Sequence, residues 1–269
     1  MAVVGVERAL SVAATGLGYY TTALATASQN LSAAGVTGYK KVHVIGVDLP
    51  YTRHDPAGAN TSSNGTKNPT GVEIGLGVKV AAIERSFTQG DLTKTDGALD
   101  MAISGDGFFD VVMPDGSIAY TRAGVFTLSP NGTIVTQPGG YTVAPGITMP
   151  NGTTGIKISE DGTVYVQINN QTTMTQIGQL QLTTFLNPAG LAAMGDTLFQ
   201  ETEASGSPDT GTPITGRRGK IKQGYREASN SNTLEDVVDL MRIEKHYNFL
   251  TKILLTAKAI WDTDSQIGV

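Results

Sequence analysis

The residue types that most often carry chemistry are sparse and scattered in this chain. Three histidines, His43, His54 and His246, lie on different segments, so no clustered metal site can be read from them. Asp106, Asp110 and Asp115 form a short carboxylate series. Their spacing meets no Ca²⁺-loop pattern, and turn and edge positions explain them more simply. Gly105-Asp106-Gly107 lacks the closing glycine and the following helix of a nucleotide loop. No Ser-His-Asp order stands out. Cysteine is absent, which excludes disulfides and thiolate metal sites and leaves the redox compartment open. The chain is expected to be no enzyme and to hold no catalytic, cofactor-binding or metal residues.

What is strongly patterned is the two ends. Read in sevens, Val3, Leu10, Leu17, Leu24 and Leu31 form one column, and Val6, Ala13, Tyr20, Ala27 and Ala34 another three residues on. That is the a/d seam of a coiled coil. As a straight helix the stretch would run roughly 50 Å at ~1.5 Å per residue. The matching seam lies at the far end: Leu240, Tyr247, Leu254 and Trp261, with Ile243, Leu250 and Ala257 three residues after the first three. Seams this long and narrow suit helix-to-helix packing better than packing on a β core. Gly16 and Gly18 each cost ~1 kcal/mol inside a helix, so they mark either a kink or a close backbone approach. The first helix should stop near Gly35. Thr233 with Asp236, or Asn232 with Glu235, offers a capping box for the last.

The middle has a different composition. The 269 residues contain 33 glycines and only 16% charged residues, a β-rich and turn-rich profile. Residues 36–71 read as an extended segment followed by a long polar loop, Pro50 to Pro69, with Pro56 inside it. Residues 72–228 read as an antiparallel all-β domain. Four turns centred on Asp115-Gly116, Asn131-Gly132, Asn151-Gly152 and Asp161-Gly162 have the chemistry of tight hairpins. Gly178–Phe185 reads as one strand, and Gln223 to Arg226 as the last strand. The fold expected is mixed α and β: coiled-coil helices at 1–35 and 229–269 flanking the β domain. Net charge is −5 with no long basic run, which argues against nucleic acid. Arg217, Arg218, Lys220 and Lys222 read as a solvated basic patch. Glu7 and Arg8 interrupt any secretory signal, and neither end has the ~20 consecutive apolar residues of a membrane span. No direct membrane insertion is expected, and leaving the cytoplasm would need a specialised, uncleaved route.

Three further stretches carry a resemblance. Ala27-Ser28-Gln29-Asn30-Leu31-Ser32, continuing to Gly38-Tyr39-Lys40, resembles the A-x-N-L-A-N … T-x-G-F/Y-K segment of the bacterial flagellar axial proteins of rod and hook. Ser104-Gly105-Asp106-Gly107-Phe108-Phe109 with Tyr120-Thr121-Arg122-Ala123-Gly124-Val125-Phe126 is similar to that family's G-x-G-F-F … Y-T-R-x-G-x-F. Glu227-Ala228-Ser229-Asn230-Ser231-Asn232 is similar to its E-x-S-N-V-N. A single β domain leaves no room for the hook protein's outer domain, and Pro50–Pro69 falls where the distal-rod branch has an insertion. The resemblance implies a subunit that polymerises helically with itself into the drive shaft crossing the periplasm, helices as inner tube and β domain outside. It implies export through the flagellar type III apparatus, and as neighbours the proximal rod proteins, the hook protein or its junction, and the outer ring bushing. The alternatives are a proximal rod or hook-type subunit and, outside the family, a stalked β-domain adhesin. An adhesin would carry a secretory signal and a surface aromatic platform, whereas the one tryptophan here, Trp261, sits on a helix.

On this reading the Pro50–Pro69 segment straps neighbouring subunits together, its prolines lowering the entropy lost on ordering. Deleting residues 53–66 is expected to leave monomer folding nearly unchanged and to give more flexible, more curved filaments. Electron micrographs of filaments grown from the deleted chain measure this; filaments as straight as the parent's would make the segment a passive connector.

Overall fold

Helix α1 (Ala2–Ser32) and helix α2 (Thr233–Ile267) occupy the two ends of the chain, and the intervening elements are short strands. This computed structural model describes residues 2–55, 58, 67, 69–137, 139–169 and 173–267, with the backbone alone at 2–4, 54–55 and 264–267. The contacts divide the chain into two units. One holds Met1–Leu31, Val42–Glu84 and Thr233–Val269; the other holds Ser32–Lys41 and Arg85–Asn232.

In the first unit, the seam positions of α2 are less exposed than most of their neighbours. Ala257 is buried, and Leu240, Ile243, Tyr247, Leu250, Leu254 and Trp261 are half-buried. On α1 the most buried stripe is made of small residues, Ala13, Gly16, Ala23, Thr26, Ala27 and Asn30, with Val6, Leu10, Leu17, Tyr20, Leu24 and Leu31 half-buried. Small side chains let another helix come close. A Cβ on Gly16 would lie 2.9 Å from Leu250 Cδ1, whereas one on Gly18 would meet nothing within 4 Å. Gly16 is therefore a close-approach glycine and Gly18 is not. The ring of Tyr20 stacks on His246 at 5.3 Å. α2 starts at Thr233, with Glu235 and Asp236 in its first turn, where the helix dipole favours negative charge.

α1 ends at Ser32, so Ala34 of the seam lies in the following turn. The left-handed residue after the helix is Gly38, at φ 71°, within the Ala33 to Gly38 stretch that offered the stop. Strand Val42–Asp48 pairs with Val78–Arg85, and Tyr51–Asp55 pairs antiparallel with Val72–Gly75. The loop expected from Pro50 therefore begins later, because Tyr51 and Thr52 find partners in Gly75 and Ile74. Pro50 and Pro69 are exposed, and Pro56 lies outside the described residues. These strands group with the helices, so the β unit starts at Arg85 and not at residue 72.

The second unit is built on strand Phe108–Val112. Successive side chains of a strand point to opposite faces, and here both faces are covered. Phe109 and Val111 are buried, Phe109 in a core with Met101, Ile103, Phe126, Ile134, Val164, Leu182 and Ile221. Phe108 faces an aromatic core of Tyr120, Phe185, Leu191 and Phe199. The strand pairs antiparallel with Ile118–Thr121, Thr142–Val143 and Leu182–Thr184 along its length. A three-stranded antiparallel sheet, Thr153–Ile158, Thr163–Ile168 and Thr175–Gln179, supplies Ile158, Val164 and Val166 to the first core. Each of the four expected hairpin turns has its glycine at positive φ, from 79° to 88°. In two of them an aspartate accepts hydrogen bonds from the residue two further on, Asp115 from Ser117 and Asp161 from Thr163.

Two expected strands are each two. Gly178–Phe185 divides into Thr175–Gln179 and Leu182–Thr184, which belong to different sheets; between them the Leu180 N–H donates to Gly162 O. The last strand divides around Gly224, at φ 72°, into Lys220–Gln223 on Met101–Ser104 and Tyr225–Glu227 on Leu92–Lys94.

Asp110 is the exception in this unit. Its carboxylate is buried, with Oδ2 accepting from Thr183 Oγ1 at 2.8 Å and Oδ1 accepting from no group among the described residues. Burial pushes its carboxyl up to about 6, against an ordinary value of 3.8. The folded state thus holds this proton more tightly than the unfolded chain. The cost of the charged form is absent below the ordinary value and fully present above about pH 6, so stability falls as pH rises between them. Asp110→Asn is expected to remove that slope and to stabilise the unit near neutral pH by about 1–3 kcal/mol. Melting temperatures at about pH 4 and about pH 7 check this; an unchanged slope in the variant would assign the pH dependence elsewhere.

Candidate functional site

The chain enters the β unit through Gly38–Lys41 and leaves it through Glu227–Asn230, and these two segments are stitched to each other. The Gly38 N–H donates to Glu227 O at 2.8 Å, and the Asn230 N–H donates to Tyr39 O at 3.4 Å. The Lys41 N–H donates to Asn230 Oδ1 at 2.7 Å. Asn230 Nδ2 in turn donates to Ser86 O and to Thr88 O and Oγ1. One amide side chain therefore ties the incoming arm, the outgoing arm and the segment at 86–88. Gly38 is required here by more than its φ: a Cβ would come within 2.5 Å of Ala123 N.

A knot of buried charge lies beneath. Lys40 Nζ donates to Glu227 Oε1 at 2.6 Å and to Thr88 O at 2.7 Å, and both charged side chains are 0% exposed. Glu227 Oε1 also accepts from the Gly90 N–H at 3.0 Å. Arg122, 4% exposed, brings Nη1 to 3.6 Å from Glu227 Oε2 and donates from it to Gly105 O at 2.9 Å. The guanidinium carbon of Arg122 also sits 5.3 Å from the Phe108 ring centre. Burial holds both cations below their ordinary pKa, with Glu227 opposing the effect at each. Transfer of an unpaired charge from water to such a site is prohibitive. The knot therefore forms only when three distant parts of the chain arrive together.

The arrangement is a joint: hydrogen bonds and a buried ion pair that hold both arm roots on the β unit. In the first unit a second joint does related work. Asn30 near the end of α1 uses its amide as a strand would, donating to Val42 O at 2.7 Å and accepting from the Val42 N–H at 3.0 Å.

The aspartates singled out by type do three separate jobs. Asp106 is exposed and faces Arg122 electrostatically, Asp110 is buried on Thr183, and Asp115 holds a turn. His43 pairs with Glu84 at 3.4 Å, His246 stacks on Tyr20, and the side chain of His54 lies outside the described residues. The basic patch resolves into individual contacts. Arg218 pairs with Asp209, Lys220 with Glu160, and Lys222 lies over Tyr225; Arg217 is exposed. The Lys40–Glu227–Arg122 knot escaped the sequence reading, although each residue stands in one of its three motif stretches. A signal was present: charged residues embedded in otherwise small, aromatic and polar strings.

Comparison with known proteins now bears on these stretches. A family model described as "Flagellar hook protein FlgE/F/G D1 domain" matches residues 102–166. The chain is 40% identical over 240 residues to the flagellar basal-body rod protein FlgG of Buchnera aphidicola subsp. Acyrthosiphon pisum, covering 89% of this chain and 92% of that one. It is 38% identical to the protein of the same name from Caulobacter vibrioides, covering 97% and 99%. It is also 38% identical to that from Borreliella burgdorferi, covering 97% of each.

Removing one partner of a buried pair costs more than removing both. Lys40→Met and Glu227→Gln are each expected to destabilise the β unit by roughly 3–5 kcal/mol. Together they are expected to cost less than their sum, by at least ~1 kcal/mol. Urea unfolding of the full-length singles and double reads this. Strictly additive losses would mean that the two residues act independently.

Proposed function

Since the chain belongs to the FlgG family of flagellar basal-body rod proteins, we propose that it is a structural subunit of the distal rod, assembling with itself into a helical shaft that carries torque across the periplasm. Identity of about 40% along nearly the whole length carries this reading. The buried joint supports it, because a subunit under torque must not let its arms peel from its β unit. Among the described residues no helix is long and apolar enough to cross a membrane. The proteins this subunit meets are the proximal rod proteins, the hook protein or its junction, the outer ring bushing and, on the way out, the type III export apparatus.

The two helices form the inner tube, with the seam as its coiled-coil joint. Val3 to Leu31 and Leu240 to Trp261 then join the helices of one subunit, a role supported by Gly16 against Leu250 and Tyr20 on His246. The opposite face of α2 joins subunits. It exposes Leu234, Val238, Met241, Phe249, Ile253 and Ile260, with Phe249 65% exposed. A helix apolar on both sides is a helix with neighbours on both sides. Strand Tyr51–Asp55 exposes Tyr51, and the strand after the segment with the residue that follows it exposes Val72, Ile74 and Leu76, as an inter-subunit strap requires.

Each large apolar side chain buried on assembly contributes ~1.5–3 kcal/mol. Phe249→Glu is expected to leave the monomer's helix content and melting temperature unchanged. It should raise the protein concentration needed for filament growth by roughly ten- to a hundred-fold. Sedimentation of assembled filaments measures this; growth at the parent's concentration would remove this face from the interface.

A further inference from the structure

A cleft of about 210 Å³ opens in the β unit beside the charge knot. Phe87, Phe108 and Phe185 form its apolar walls, and Arg122, Arg217 and Asp106 are its charged lining. Arg122 is the informative member. Of its donors, Nη1 alone is used, on Gly105 O and at long range on Glu227. Nε is buried and, like Nη2, donates to no group among the described residues. Nε and Nη2 share one edge of the guanidinium, the edge that meets a carboxylate with two parallel hydrogen bonds.

The charge count points the same way. Lys40 and Arg122 are two buried cations, and Glu227 is the one buried carboxylate between them. Its Oε1 is taken by Lys40 and the Gly90 N–H, and its Oε2 accepts no hydrogen bond. Asp106 faces Arg122 from the lining, and with Arg217 counted as well the knot and the cleft together carry an excess of one positive charge. A cation would add to it. An anion entering the cleft would cancel it and meet the Arg122 guanidinium that lines it, with its stem among the phenylalanine rings.

We propose that this cleft is a carboxylate-binding site and that, in the filament, an aspartate or glutamate side chain of a second copy of the chain fills it. The site itself stands on the geometry; its occupant rests on the rod reading, in which every lateral neighbour is another copy. The net charge of −5 gives each copy more carboxylates than cations with which to fill it. Filling the site locks a neighbour onto the residue that anchors the arms, so assembly tightens the joint.

Phenylacetate, with phenylacetamide as its uncharged twin, tests the site on the full-length chain in its monomeric state. The Arg122 Nε–H resonance in ¹⁵N NMR is expected to shift saturably with phenylacetate. The apparent affinity should be at least about fivefold weaker for the amide, and for phenylacetate on Arg217→Gln, an exposed substitution outside the knot. Equal responses to acid and amide, or none, would overturn the site. The occupant is read separately: phenylacetate at saturation should raise the concentration needed for filament growth several-fold. Unaffected growth would overturn the neighbouring copy as occupant and leave free carboxylates as ligand. A chain that never assembles would instead overturn the rod reading, with the monomer titration still standing.

Discussion

The ion pair between Lys40 and Glu227 is the constraint on which the rest of the structure depends. Both side chains are removed from water, and neither could be so without the other. Such a pair adds little net stability over a well-packed apolar one; its use is registration. Lys40 must reach a single carboxylate 187 residues away, and that carboxylate is also held by Gly90 and faced by Arg122. Any slip of the incoming arm, the outgoing arm or the Arg122 turn would strand a charge in the interior. The backbone bonds from Gly38 and Asn230 then follow at little further entropic cost, because the arms are already in place.

Around this joint the two units divide the physical work. The β unit supplies its own core, with the Phe108–Val112 strand covered on both faces. The helical unit does not bury its apolar surface to the same degree. It leaves Phe249, Met241 and Leu255 on α2 and Tyr51, Ile74 and Ile83 on its strands in the open. Exposed apolar surface on this scale marks contact with other proteins.

The molecule's charged side chains serve the fold itself. Its buried charges point at each other and at backbone carbonyls, and its carboxylates hold turns and threonines. Among the described residues Asp110 and Glu227 each keep one buried carboxylate oxygen without a hydrogen bond, and at Asp110 burial raises the carboxyl's pKa. Arg122 also lines the cleft formed with Phe87, Phe108 and Phe185.

The amino-acid sequence by itself determined the parts whose physics is local. Heptad spacing, with stop and capping signals, located both helices, since a side chain's direction on a helix follows from its position. Asp-Gly and Asn-Gly turns were legible because positive φ is a property of one or two residues. The three motif stretches were legible as strings, but not what joins them. That Lys40, Arg122 and Glu227 meet is decided by tertiary structure, because nothing in a charge's own neighbours says which distant charge will share its burial. The same holds for the pairing of Tyr51–Asp55, the sheet change between Gln179 and Leu182, and the break at Gly224. In each, the choice between strand and loop belonged to a partner strand far away in the chain.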